Sequence, residues 1–441
     1  MAVTDLGGEG TGAPPIAAGR PAPRAGYTLA ILYLACVFSY VDRQLIALLA
    51  PSIQAELHLS DTQLGFVSGT AFAVLYVLIG VPLAQLSDRV NRVRMLGAAL
   101  AVWSAMTALC GATTSFVQMA LARVGVAVGE AGGYPSSLSI ISDLYPPERR
   151  SSANAIFLSG TTAGALVSLV VGGMLNELVG WRWTFVIAGV PGLILTAVLL
   201  LTVREPVRGQ TDPGPRTTVK PTSFPQTVKI LFSQPLYRSL ALSAAIYNLE
   251  LFSLAAWAPT YAIRTFGLNT AQVGLGLGLA LGLGSSFVMI AGGGLADRLT
   301  RRSIAAPVFI SALGQVMMIP FFLLALNVTS FPLFCFLHAM AFGCSAIGGP
   351  MNVAAAHSVA PPQVRGAAAA FLVMIATLAG YGGGPPLIGA ISDALGSGTP
   401  AERLRTALML GVVFNAIAAA ILLRAGIHQA RKKAAAPVPA A

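Results

Sequence analysis

Leu86-Ser87-Asp88-Arg89 closes one long apolar run of the chain, and Leu295-Ala296-Asp297-Arg298 closes another, the two aspartates standing 209 residues apart. Each is followed at once by more arginines, Arg92 and Arg94 in the first case and Arg301 and Arg302 in the second. A second feature keeps nearly the same period. Tyr145-Pro146-Pro147-Glu148-Arg149-Arg150 opens an apolar run, and Ala360-Pro361-Pro362-Gln363-Val364-Arg365-Gly366 opens another, with Pro146 and Pro361 215 residues apart. Two unrelated features that repeat in the same order at the ends of apolar runs mark an internal duplication of half the chain.

Working outward from these loops, the apolar runs number twelve. They cover 27–50, 61–86, 94–113, 116–141, 151–175 and 182–203, then 236–264, 270–296, 303–326, 330–356, 364–392 and 404–426. Roughly 20 apolar residues suffice for a helix to cross the hydrocarbon layer. Only 10% of the residues are charged, against about 25% in ordinary soluble domains. With a mean hydropathy of +0.75, most of the surface must be solvated by lipid, where helices alone or closed barrels satisfy the backbone. The break from Arg204 to about Gln234 holds five prolines and several charges, as an extramembrane linker would. The predicted fold is therefore an all-α polytopic membrane protein, with 12 transmembrane helices in two pseudo-symmetric six-helix bundles. The bundles are expected over 27–203 and 236–426, joined by a cytoplasmic linker 204–235. Residues 1–26 read as a disordered cytoplasmic tail without the pattern of a signal peptide, and 427–441 as a second cytoplasmic tail.

Of the 27 Lys and Arg, 21 fall in the two tails, the linker and the loops after spans two, four, eight and ten. The opposite side has Arg182, Arg264, Arg403 and Arg405. The excess marks the cytoplasmic side, so both termini are expected there, in a cell (inner, cytoplasmic) membrane. The net charge of +11 sits in these short clusters, which argues against a nucleic-acid partner. Cys36, Cys110, Cys335 and Cys344 lie inside apolar runs without metal-ligand spacing and read as small buried thiols. Gly274-Leu275-Gly276-Leu277-Gly278 has glycine spacing of a nucleotide loop but neither the strand nor the acidic residue that such a loop needs. The sequence has no Gly-x-x-x-x-Gly-Lys-Ser/Thr motif. No enzyme, ATP drive, cofactor or metal is expected.

The charges inside the spans carry the functional signal. Asp42 and Arg43 lie in the first, Arg123 and Glu130 in the fourth, and Glu250 in the seventh. A charge at such depth faces a wet cavity and pairs with another charge. Arg123 and Glu130, seven residues apart, lie near one helix face, whereas Asp42 and Arg43 point about 100° apart. One of that pair can face a cavity while the other faces a neighbouring helix. A carboxylate in a crevice can gain or lose a proton as its surroundings change, which would couple protons to conformation. A purely structural ion-pair network is the alternative. Glu250 reads either as a substrate or proton site or as a satisfied polar residue at the cavity mouth. His338 and His357 read as packed residues before switches. Tyr40, Phe72, Tyr76, Tyr134, Tyr247, Trp257 and Tyr261 could supply an aromatic cavity wall or interfacial anchors.

The stretch Ala84-Gln85-Leu86-Ser87-Asp88-Arg89-Val90-Asn91-Arg92-Val93-Arg94 resembles the loop signature of the major facilitator superfamily, Gly-x-x-x-Asp-Arg-x-Gly-Arg-Arg/Lys, with Ala84 and Asn91 at its glycines. The copy at Gly293-Gly294-Leu295-Ala296-Asp297-Arg298-Leu299-Thr300-Arg301-Arg302 keeps the first glycine, and the resemblance runs from about residue 27 to 426. Within the superfamily the chain looks most like the Spinster group of lipid transporters. Tyr40-Val41-Asp42-Arg43, Arg123-Val124-Gly125-Val126-Ala127-Val128-Gly129-Glu130-Ala131 and the run from Pro135-Ser136-Ser137 to Arg150 carry that likeness. The resemblance implies a secondary active transporter working by alternating access. Its implied cargo is an amphipathic anion such as a lysophospholipid or sphingoid phosphate, coupled to protons through Asp42 and Glu130. Arg43, Arg123, Glu250, Tyr40 and Tyr134 would serve substrate binding or charge pairing. It also implies a cytoplasmic gate of Asp88, Arg89, Asp297 and Arg298 with Arg149 and Arg365. The expected partners are a lipid-like solute, protons and membrane lipids, with the protein a monomer. A carrier of small organic acids, sugars or drugs is the first rival, and a non-transporting sensor the second.

Overall fold

The computed structural model describes residues 24–87, 89–211, 223–285, 288 and 306–434. Among those residues nine helices are long and apolar enough to cross a membrane, and one of them, Pro147–Thr202, is long enough to cross twice. Helices α1 (Ala25–Leu57), α2 (Asp61–Ser87) and α3 (Arg92–Cys110) lead to α4, made of Phe116–Ala131 and Gly133–Leu144. Helices α5 (147–179) and α6 (181–202) form one stretch from Pro147 to Thr202, turned at Gly180. Gly180 has φ 77°, a conformation that costs glycine little and other residues a steric clash. A short helix, Phe224–Ser233, precedes α7 (Pro235–Phe266) and α8 (Thr270–Leu279), which runs on through a π-helical turn, Ala280–Ser285. Helices α9 (Ala306–Ala325), α10 (Phe331–Val359), α11 (Arg365–Ala394) and α12 (Pro400–Ala434) complete the chain. The helices overrun the apolar runs that announce them: α12 starts before 404 and continues through Arg431, and part of the expected linker is helical.

Local chemistry sets the helix ends. Ser115 and Asn91 cap α4 and α3, each accepting from the backbone N–H three residues on (3.4 and 2.8 Å). Asn91, which stands at a glycine of the family signature, thus does a capping task. Tyr27 Oη lies 2.7 Å from Thr202 Oγ1, so α1 begins where α6 ends. We call this the near end. There Arg92 is buried and binds the Asp143 carboxylate, Glu205 (2.6 Å) and the Pro206 carbonyl (3.0 Å). Sequence charge-counting treats Arg92 as a marker of sidedness; the fold makes it the knot that ties α3, α4 and the first linker residues.

Two apolar cores belong to one half each. Leu32, Trp103, Val126 and Leu199 cluster in α1–α6, and Tyr237, Val308 and Ala356 in α7–α12 with Leu231 of the short helix before them. A third is shared: Leu45, Leu49 and Val67 pack in one cluster with Trp257, Val273 and Ile388. The halves therefore fuse toward the end opposite the near end, the far end. Cross-half hydrogen bonds lie there or toward it. Arg264 of α7 donates to Asp61 of α2 (2.6 and 3.1 Å), and Thr70 of α2 donates to the Gly382 carbonyl of α11 (2.6 Å).

Candidate functional site

A cavity of about 270 Å³ lies on the near-end side of the shared core. Its wall comes mainly from the first half: Cys36, Ser39, Tyr40 and Arg43 of α1, Tyr76 of α2, Trp103 of α3, Glu130, Tyr134 and Ser137 of α4, and Phe157 of α5. The second half contributes Val373 and Thr377 of α11. Spacing explains the α1 wall, since Cys36, Ser39, Tyr40 and Arg43 follow the three- and four-residue steps of one helix face. Helices α1 and α5 approach closely because Gly164 lacks a side chain: a Cβ there would sit 2.4 Å from the Val37 carbonyl oxygen.

Two buried ion pairs join α1 to α4, and the adjacent residues Asp42 and Arg43 point into different surroundings. Arg43 reaches Glu130 Oε2 through Nη2 (2.6 Å) and Nε (2.7 Å), and Ser39 Oγ donates to the same oxygen (2.9 Å). Glu130 Oε1 is buried with no hydrogen-bond partner among the described residues. Asp42 turns away from the cavity. Its Oδ2 accepts from Arg123 Nη1 (2.7 Å) and its Oδ1 from Thr107 of α3 (2.7 Å). Both members of this second pair are almost wholly buried. Desolvated pairs of this kind persist only with good geometry and extra hydrogen bonds, which Thr107 and Ser39 supply.

An aromatic cage holds Arg43. Its guanidinium carbon lies 4.8 Å from the ring centres of Phe72 and Tyr76 and 5.2 Å from that of Tyr40. Arg123 stands 5.6 Å from the Phe72 ring, so Phe72 is shared by both cations. Such contacts orient a guanidinium without neutralising it. Tyr134 is half exposed at the cavity wall.

Glu250 is elsewhere. It is buried in α7 with neither carboxylate oxygen hydrogen-bonded among the described residues, packed where a Cβ on Gly411 of α12 would lie 2.0 Å from Oε2. Among the described residues it neither borders the cavity nor pairs with a charge. Tyr247, Trp257 and Tyr261 belong to the shared core, Trp257 donating to the Pro385 carbonyl (3.0 Å) and Tyr261 to that of Leu326 (2.9 Å). They are packing residues and not cavity wall. His338 stacks on Phe334, and neither ring nitrogen has a partner among the described residues. Of the expected gate, Asp88, Asp297 and Arg298 lie outside the described residues. Arg89, Arg149 and Arg365 are exposed. Sequence reasoning missed Ser39 and Thr107, the hydroxyls that complete the two pairs. Ser39 was within reach, one turn before Arg43 on α1; Thr107 carries no sequence signal.

A charged crevice between two helical bundles that share an apolar core beyond it defines a membrane carrier. The chain belongs to the Major Facilitator Superfamily, whose profile matches residues 32–381, and it groups with the Spinster transporters. It is 30% identical over 92% of its length to an MFS-type efflux pump of Mycolicibacterium smegmatis, of which 93% is covered. It is 27% identical over 92% of its length to human protein spinster homolog 1, of which 81% is covered. A solved bacterial homolog of the human lysosomal transporter Spinster, in an inward-facing and unoccupied conformation, superposes with a TM-score of 0.83 at 28% identity. That match covers 95% of this chain and 99% of the other. The protein is a multi-pass membrane transporter and not an enzyme.

Proposed function

We propose that the chain moves an amphipathic anion, of the lysophospholipid or sphingoid phosphate kind, by proton-coupled alternating access. The observation that supports this reading is the Arg43–Glu130 pair at the cavity wall. An anionic head group entering the cavity competes with Glu130 for Arg43. A proton on Glu130 removes that competition, and Oε1 can take it while Oε2 keeps its three donors. Proton and anion then bind together, and the neutralised pair lets the halves rearrange. Asp42 has both oxygens engaged, by Thr107 and Arg123, and does not face the cavity. Arg43, not the buried Arg123, meets the head group. Trp103, Phe157 and Val373 offer the cavity's apolar side to the tail. The near end, with its basic loops, is the cytoplasmic side, and the protein works as a monomer in the cell membrane. In proteoliposomes with labelled lysophospholipid, Glu130→Gln should flatten the pH dependence of transport. An unchanged pH profile removes Glu130 from the coupling role.

A second reading has one observation in its favour. A cavity of about 270 Å³ falls just below the size range of drug-sized sites and could enclose a small organic anion whole, and one relative is named an efflux pump. Competition by short-chain organic acids, sugars or drugs against labelled lysolipid would favour it; lack of competition leaves the lipid reading.

A further inference from the structure

Helices α2 and α8 begin alike. Ser60-Asp61-Thr62-Gln63-Leu64-Gly65 opens α2, and Asn269-Thr270-Ala271-Gln272-Val273-Gly274 opens α8, 209 residues later. Each start is a capping box. Gln63 N donates to Ser60 Oγ (3.2 Å) and Ser60 N to Gln63 Oε1 (3.0 Å); Gln272 N donates to Asn269 Oδ1 (2.9 Å) and Asn269 N to Gln272 Oε1 (3.2 Å). A box of this kind satisfies the cap and third-position N–H groups and leaves those of the first two helical residues unpaired.

A carboxylate from the opposite half takes up both leftover donors at α2 and the first of them at α8. Asp393 of α11 accepts from Asp61 N (3.1 Å), Thr62 N (2.8 Å) and Thr62 Oγ1 (2.6 Å). Glu177 of α5 accepts from Thr270 N (3.0 Å) and Thr270 Oγ1 (2.6 Å). These acids also occupy matching places, in Gly173-Met174-Leu175-Asn176-Glu177 and Gly389-Ala390-Ile391-Ser392-Asp393, 216 residues apart. The residue before each acid reaches the same helix start: Asn176 Nδ2 to Thr270 Oγ1 (2.9 Å) and Ser392 Oγ to Asp61 Oδ2 (2.7 Å). The glycines permit the approach. A Cβ on Gly389 would lie 2.3 Å from the Asp61 carbonyl oxygen, and one on Gly173 2.5 Å from that of Thr270.

We propose that these two trans-acting helix caps, Asp393 on α2 and Glu177 on α8, are paired latches of one far-end gate, and that the carrier reaches its opposite conformation only by breaking both. The pairs α2–α11 and α5–α8 are the two pseudo-symmetric seams between the halves, so a rocking of one half against the other opens both seams together. A carboxylate at a helix start gains from charge-assisted hydrogen bonds and from the helix dipole. The released N–H groups lie where a helix meets water, which can take over their hydrogen bonds, so the latch is reversible. One tie has no counterpart in the repeat. Arg264 binds Asp61 and Gln54 Oε1 (2.7 Å), whereas the position matching Asp61 is Thr270. The gate is therefore held more firmly at α2 than at α8.

This inference rests on the alternating-access reading, so its test reads distance and not transport. Spin labels at A112C and T329C, exposed loop positions at the far ends of the two halves, are introduced with the four native cysteines replaced. Double electron–electron resonance then compares the parent with Asp393→Asn, Glu177→Gln and both together. Each single change should raise the ratio of long to short distances by roughly tenfold, and the double change by the product. Should a neutralised variant fail to fold, Gly389→Ala and Gly173→Ala press on the same seams and should give the same lengthening. Unchanged distance distributions in the folded variants of both sets overturn the gate. A parent that shows the distance shift on mutation but carries no cargo would instead overturn the functional reading.

Discussion

Arg43 spends both of its facing nitrogens on a single oxygen of Glu130, Oε2, at 2.6 and 2.7 Å, while Oε1 of the same carboxyl is buried with no partner among the described residues. The pair is thus an end-on contact with one oxygen in reserve. It rests on the planar fork of a guanidinium held among three aromatic rings.

Arg43→Lys keeps the charge but loses the fork and the stacking. Transport of the preferred solute at low concentration should fall roughly tenfold or more, while thermal stability in detergent changes little. Initial-rate transport and a melting curve on one preparation check both halves of this expectation.

The Arg123–Asp42 pair should behave differently, because it is sealed from the cavity. Arg123→Ala leaves the Asp42 carboxylate facing Thr107 alone, and breaking a buried pair in this way costs about 3–5 kcal/mol. A large drop in melting temperature is expected. The double replacement Asp42→Asn with Arg123→Met should recover much of it. Equal melting temperatures for the single and double variants would mean that the two residues do not act as a pair.

Phe72 is the ring that both cations share. Phe72→Leu keeps most of the buried volume and removes the aromatic face, at about 0.5–2 kcal/mol. Solute affinity, measured by isothermal titration, should weaken between roughly twofold and thirtyfold. An unaltered affinity would show that the ring only fills space.

Gly180→Ala tests the turn between α5 and α6. With φ at 77° and ψ at 166°, a Cβ costs about 1–3 kcal/mol by local sterics alone, and no neighbouring atom lies within 4 Å of it. Melting temperature should fall modestly, with transport per folded molecule unchanged.

The twelve spans were readable because lipid imposes a simple condition on composition: about 20 apolar residues in succession, broken by charge. The duplication is readable because Asp88 and Asp297 sit in conspicuous arginine clusters at the ends of apolar runs. The second duplicated pattern, Gly173…Glu177 with Gly389…Asp393, was equally present in the chain and went unread. Its residues are individually unremarkable, and nothing along the chain says that a glutamate in α5 will meet a helix start 93 residues later. In the cavity, the four charges on α1 and α4 were legible as costly residues in an apolar setting. Their pairing was not, since Arg43 might as well have served its neighbour Asp42.

Composition and periodicity settle the solvent, the helical architecture, the twofold repeat and the short list of charges that must find partners, because each is a condition on residues near in sequence. Which charge meets which, that Glu250 meets none among the described residues, and that the halves share a core toward the far end are decided by packing. Those outcomes depend on contacts between residues tens to hundreds of positions apart, whose geometry exists only once the helices have assembled.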